Sequence, residues 1–162
     1  MARWGQRADG HADSLPALPA LIQLELRITH VLCVAVDLPH PYPTDFQYLT
    51  VPVLDSPDVD LRQHFDSAFA FMDEALQSGQ GGVLVHCFAG RSRSVTVTVA
   101  YLMRSQQMSM HAAMNAVLAV RPIAQPNSGF MQLLARFEEE EARRGGRVHN
   151  TRASTRMTCA LT

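Results

Sequence analysis

The chain has 162 residues, 47% of them hydrophobic, which is enough for one buried core and too little for two. A net charge of −1 offers no dense basic surface of the kind nucleic acid requires. No apolar run is long enough to span a bilayer, the polar stretch from Met1 to Asp13 is unlike a signal peptide, and Ala2 stands where myristoylation needs glycine. The expectation is a cytoplasmic protein, with the nucleus as a second compartment, and no nucleic-acid or membrane partner.

In chain order, a first helix is expected over Leu18 to Leu26, then an apolar strand, Thr29 to Ala35, carrying Cys33. A proline-rich connection from Asp37 to Thr44 leads to a second strand, Tyr48 to Val53. Leu61, Phe65, Ala68, Phe69, Met72 and Leu76 recur at helical spacing, so this stretch reads as an amphipathic helix packed on a sheet and ended by Ser78 to Gly82. Gly82 to His86 reads as a buried strand and Val95 to Met103 as a buried helix. Two more amphipathic helices follow, Ser109 to Val120, stopped near Pro122, and Asn127 to Arg143, with Asn127 or Ser128 as cap. Strands alternating with helices predict an α/β fold around a mainly parallel sheet flanked by helices. The expected division is an atypical disordered segment at 1–20, one domain at 21–143, and a solvated basic tail at 144–162. Leading into that tail, Glu138 to Glu141 gives way to five arginines between Arg143 and Arg156. All basic residues are arginine, so lysine acetylation and ubiquitination have no side-chain site.

The chemistry concentrates in residues 86–94, HCFAGRSRS, where a strand turns into a helix. A helix N-terminus leaves its first N–H groups unpartnered and carries the positive end of the macrodipole, so a loop wrapped there cradles an anion. That potential lowers the pKa of a thiol, which makes Cys87 a thiolate nucleophile. Arg93 supplies a planar guanidinium able to hold two phosphoryl oxygens, Gly90 lets the backbone approach the anion, and Ser94 can donate to the cysteine sulfur and improve it as a leaving group. The departing oxygen needs an acid. Asp55, on a turn-forming loop marked by Pro57, Asp58 and Asp60, can protonate it and then, as carboxylate, activate water. Asp60 reads instead as the cap of the helix near Leu61, and Asp58 and Arg91 as solvated.

The nine-residue run, with an acid 32 residues upstream of the cysteine, resembles the cysteine-dependent protein phosphatases of the dual-specificity class, whose signature is HCxxGxxRS. The flanking VLVHCFAGRSRSVTVTVAYLM and the later RPIAQPNSGF are similar to the same family, and the small plant and algal members resemble the chain most. Low-molecular-weight phosphatases place the loop near the N-terminus with the acid after it; here the acid precedes a mid-chain loop. The resemblance implies the cysteine-phosphatase fold and hydrolysis of phosphotyrosine and phosphoserine or phosphothreonine esters through a phosphocysteine, with no metal or other cofactor. Cys87 would be the nucleophile, Arg93 the phosphate clamp, Asp55 the general acid and Ser94 the aid to thiolate departure. Phe88, Ala89, Gly90, Arg91, Ser92 and Arg93 would form the phosphate-binding loop, supported by His86 and by Asn127, which would brace it. Cys33 stands near the place where some relatives keep a cysteine that pairs with the oxidised nucleophile; without that role it is a small core residue. Cys159 reads as inert. Phosphoprotein substrates, MAP kinases among them, are what the family implies.

The opening MARWGQRADGHADSLPALPA matches none of the strand and Leu-Tyr-Leu-Gly-like segment with which the family usually begins, so the chain is also readable as a truncated version of a longer protein. The alternatives are therefore a non-catalytic phosphoprotein-binding module and a rhodanese-type sulfur transferase, which would have no use for Asp55.

Overall fold

A computed structural model describes residues 27–77, 81–145 and 159–161. The segment 1–20 and the helix expected over Leu18 to Leu26 lie outside the described residues. Among the described residues, four strands form one all-parallel sheet in the order β2-β1-β3-β4: β1 is Ile28–Cys33, β2 Gln47–Thr50, β3 Gly82–His86 and β4 Cys159–Leu161. In β1 every residue but Thr29 is buried, as a central parallel strand covered on both faces should be. The register sets Cys33 beside Thr50 on one side and His86 on the other, so the carboxyl ends of three strands meet at one edge.

Two strand expectations are corrected. The second strand was expected to run to Val53 but ends at Thr50. Val51 still donates to the Cys33 carbonyl at 2.8 Å, but Pro52 has no N–H to extend the ladder, and Val53 turns back to donate to Val51. The basic tail is not wholly irregular: helix reaches Gly145, and Cys159–Leu161 pair with β3 through the register Val83–Cys159, covering a strand edge whose backbone groups need partners.

Asp60 accepts from the Arg62 N–H at 3.1 Å and opens a 3₁₀ turn, Arg62–His64, that runs into α1, Phe65–Gln77. α1 lies on β1 and β3 and buries Phe65, Ala68, Phe69, Met72, Ala75 and Leu76, the apolar stripe read from the spacing. α2, Arg93–Ser105, follows β3 and is buried from Ser94 to Tyr101. α3 is Met110–Val120, capped by the Ser109 hydroxyl on the Ala112 N–H, and α4 is Ser128–Gly145. Both pack against α2.

The acidic run on α4 has three structural jobs. Glu138 accepts from the Met110 N–H at 2.7 Å, Glu140 pairs with Arg62 at 2.9 Å, and Glu141 pairs with Arg104 at 3.0 Å. Each arginine also lies over aromatic rings: Arg62 is 5.1 Å from the centroid of Phe137, and Arg104 is 4.9 Å from Phe69 and 5.1 Å from Phe137. Phe137 is thus fully buried between two guanidinium planes and the edges of Phe65 and Phe69. Phe137→Ala should lower unfolding free energy by about 3–5 kcal/mol, with the urea midpoint falling at an unchanged m-value; a loss below about 1 kcal/mol would show that the site collapses around the deletion.

Candidate active site

β3 delivers His86 to the carboxyl edge of the sheet, where its carbonyl accepts from the Val34 N–H at 2.8 Å. The chain then wraps through residues 87–92 and enters α2 at Arg93. Gly90 has a φ of 59°, a left-handed conformation that explains the glycine. Ser92 occupies the N-cap position of α2, yet its hydroxyl does not cap the helix. The N–H groups of the first turn therefore face the loop without a side-chain cap, as an anion cradle needs.

Cys87 lies at the floor of this loop, 5% exposed. Burial pushes its thiol pKa up, but the Ser94 hydroxyl, donating to Sγ at 3.2 Å, and the backbone N–H groups of Ser94, Gly90 and Arg91 outweigh it and hold the thiol below its ordinary range. His86 is half-buried; desolvation and the neighbouring His40 depress its pKa against an opposing hydrogen bond to the Cys87 backbone, so the imidazole is neutral at neutral pH. Cys33 is fully buried at the end of β1, and burial and the proximity of Cys87 push its pKa up. The two thiols are free; Cys33 ends β1 and Cys87 directly follows the adjacent β3, Cys33 being paired in register with His86.

Arg93 reaches back from the first turn of α2 to the acid loop. Its Nη1 donates to the Val53 carbonyl at 3.2 Å, and its Nε lies 3.8 Å from Asp55 Oδ2. That Nε is buried and makes no hydrogen bond among the described residues, which leaves a donor for a phosphoryl oxygen. Asp55 Oδ1 accepts from the Ser92 hydroxyl at 2.7 Å and from Asn127 Nδ2 at 2.8 Å. Asn127 also donates its backbone N–H to Ser92 Oγ at 3.1 Å and accepts from the Phe130 N–H through Oδ1 at 2.9 Å. It therefore caps α4, braces the phosphate loop and holds the acid with one side chain and one N–H.

Cys87, Arg93, Asp55, Ser94 and Asn127 are brought together as expected, and His86 and Cys33 stand beside them. Phe88 is 80% exposed at the mouth of the loop, Ala89 is exposed, and Asp58 is exposed. Arg91 is exposed, as expected; its guanidinium donates to Gln125 Oε1 at 2.5 Å and its carbonyl accepts from the Gln125 N–H at 2.7 Å. Arg121, which the sequence reading passed over, donates through Nε to the Gly90 carbonyl at 2.6 Å and through Nη2 to Ala89 at 3.4 Å. By taking carbonyls on the outside of the loop, these groups leave its N–H groups free to face inward. An arginine and a glutamine within the otherwise apolar RPIAQP were the available signal. The arrangement can hold a dianion over a thiol whose ionisation is favoured, with a carboxyl group on its open side.

The profile described as "Dual specificity phosphatase, catalytic domain" matches residues 15–140. The chain is 53% identical over 112 residues to dual specificity protein phosphatase 1B of Arabidopsis thaliana, covering 69% of this chain and 66% of that protein. It is 46% identical over 112 residues to dual specificity protein phosphatase 1 of the same plant, covering 69% and 56%. Thus the chain spans about two thirds or less of these relatives' length. The crystal structure of human DUSP28 superposes with a TM-score of 0.71 at 35% identity, covering 75% of this chain and 85% of that one.

Removing the Ser94 hydroxyl takes a donor from the thiolate and not from the thiol, so Ser94→Ala should raise the Cys87 pKa. The pH midpoint of iodoacetamide alkylation should move upward from that of the wild type; an unmoved or lower midpoint would show that the hydroxyl does not stabilise the thiolate.

Proposed function

The chain belongs to the dual specificity phosphatase catalytic-domain family, and on that premise we propose that it hydrolyses phosphotyrosine and phosphoserine or phosphothreonine in proteins through a phosphocysteine. The observation that carries the proposal is the meeting of a buried Cys87 whose thiol pKa is lowered, the Arg93 guanidinium and the Asp55 carboxyl group around one loop. In the first step the Cys87 thiolate attacks phosphorus, the phosphorus–oxygen ester bond breaks, and protonated Asp55 gives its proton to the departing oxygen. Arg93 and the loop N–H groups hold the equatorial oxygens as charge develops. In the second step Asp55, now a carboxylate, takes a proton from water as that water attacks phosphorus. The sulfur–phosphorus bond breaks, and the Ser94 hydroxyl receives the thiolate. These residues also speak against a non-catalytic binding module, which would need neither the lowered thiol nor a tethered acid.

Phosphoproteins are the proposed substrates, with MAP kinases as candidates: a Dictyostelium discoideum relative, 40% identical over 130 residues, is named a MAP kinase phosphatase with leucine-rich repeats, though this chain covers 15% of it. Hydrolysis of phenyl phosphate in EDTA, followed by phosphotyrosyl and phosphothreonyl peptides, tests the activity. Wild type should turn over without added metal, Cys87→Ser should be inactive, and Asp55→Ala should lose about 10²–10⁴-fold. No turnover from folded wild type would overturn the reading.

Cys33 is proposed to resolve oxidation of the nucleophile. Peroxide would convert the Cys87 thiolate to a sulfenic acid, and the Cys33 thiol would attack its sulfur, releasing water and forming a disulfide. Peroxide-treated wild type should contain a Cys33–Cys87 crosslink on mass spectrometry and regain activity with thiol, whereas Cys33→Ser should be inactivated irreversibly; equal recovery by both proteins would exclude the role.

A further inference from the structure

Gly129 is the second residue of α4, and glycine there has no backbone reason. Among the described glycines only Gly90 is left-handed, and glycine in a helix is less favourable than alanine. The reason is space. A Cβ on Gly129 would fall 2.5 Å from Cα and 2.6 Å from the carbonyl carbon of Pro57, and closer still to the Pro57 oxygen. These are backbone atoms, which cannot swing aside as a long side chain can. Pro57 lies two residues after Asp55, and Gly129 two residues after Asn127, whose amide holds Asp55 at 2.8 Å. The acid loop therefore meets the start of α4 at two places, a hydrogen bond at Asp55 and bare backbone contact at Pro57.

Only Ser56 separates the two contacts; its carbonyl accepts from the Val59 N–H at 3.2 Å, a proline follows it, and the ring of Pro57 fixes its own φ. Beyond Pro57 the chain is anchored, Leu61 donating to the Val59 carbonyl at 3.1 Å and Arg62 to the Asp60 carboxylate at 3.1 Å. A push on Pro57 is thus carried to Asp55 and not absorbed between them. We propose that Gly129 is a positioning residue for the general acid: the absence of its side chain sets how close the acid loop sits to α4, and so whether Asp55 reaches both Asn127 and the leaving oxygen. This rests on the phosphatase reading above.

The prediction concerns the dependence of rate on the leaving group. An ester whose leaving oxygen is a stable anion needs little help from an acid, whereas a basic leaving oxygen needs its proton. In kcat/KM, which reports the steps up to departure of the ester oxygen and not the later hydrolysis that Asp55 also serves, Gly129→Ala should therefore match the wild type on para-nitrophenyl phosphate, lose about tenfold or more on phenyl phosphate and on a phosphoseryl peptide, and show a steeper fall of log kcat/KM with leaving-group basicity. In an Asp55→Ala background the same substitution should cost nothing further, because the acid it misplaces is gone. An unchanged slope, an equal loss on every ester, or a further loss in the Asp55→Ala background would overturn the positioning role while leaving the phosphatase reading intact. Silence of the wild type on all esters would sink that reading, and this one with it. Should Gly129→Ala fail to fold, as judged by circular dichroism and loss of tungstate binding, Pro57→Ala decides. It releases the φ that stiffens the loop without adding an atom to the contact, and the slope should again steepen; an unchanged slope overturns the proposal.

Discussion

One carboxylate oxygen, Asp55 Oδ1, joins three segments that have no local reason to meet. It accepts from Ser92, 37 residues away in the phosphate loop, and from Asn127, 72 residues away at the start of α4. Ser92 in turn accepts from the Asn127 N–H, which closes a ring of three bonds. Hydrogen bonds contribute a net of roughly 0.5–1.5 kcal/mol each, and less where one partner is open to water as Asp55 is, so the ring matters more for register than for total stability. The ring is also what couples chemistry to fold: the acid, the cradle and the last helix hold their relative places through one atom.

The helices differ in how their first turns are satisfied, and the difference follows their roles. α3 begins with a serine hydroxyl on one N–H and a glutamate on another, so its amino end has side-chain partners before any ligand arrives. α2 also begins at a serine, yet the Ser92 hydroxyl is turned away to Asp55. An N-cap bond typically contributes about 1 kcal/mol, so the active-site helix forgoes stability that the structural helix keeps. Donors left without a cap are what a thiolate and an incoming dianion require, and the lowered thiol of Cys87 is the visible result.

Much of this was legible in the residues because it is written locally. β3 runs from Gly82 to His86 as its apolar run suggests, the stripe from Leu61 to Leu76 is the buried face of one helical segment, and Ser109 and Pro122 bracket α3. Cys87, Gly90, Arg93 and Ser94 are neighbours in sequence, so strand, turn and helix suffice to place them. What escaped reading spans long separations. Nothing near Ser92 in the sequence ties its hydroxyl to an acid 37 positions earlier, and nothing near Arg121 announces its 2.6 Å bond to the Gly90 carbonyl. The end of β2 belongs to a different class, since Pro52 announces the missing donor in the sequence itself. Three residues of β4 carry too short a pattern to be recognised as a strand without the edge they cover.

Because the four described strands run the same way, the sheet has two chemically unequal borders. At one, strands end in Cys33, Thr50 and His86 and lead into the segments that carry the acid, the thiol and the clamp. At the other, β1 and β3 begin, and the Gly82 N–H donates to the Arg27 carbonyl at 2.6 Å with no part of the site nearby in sequence. Lengthening a turn at this second border would disturb strand entry and nothing that touches a phosphate, while a single inserted residue at the first would rotate a reacting group out of reach. The fold thus has a conservative margin and a permissive one, and variation in length among proteins of this architecture should gather at the permissive side.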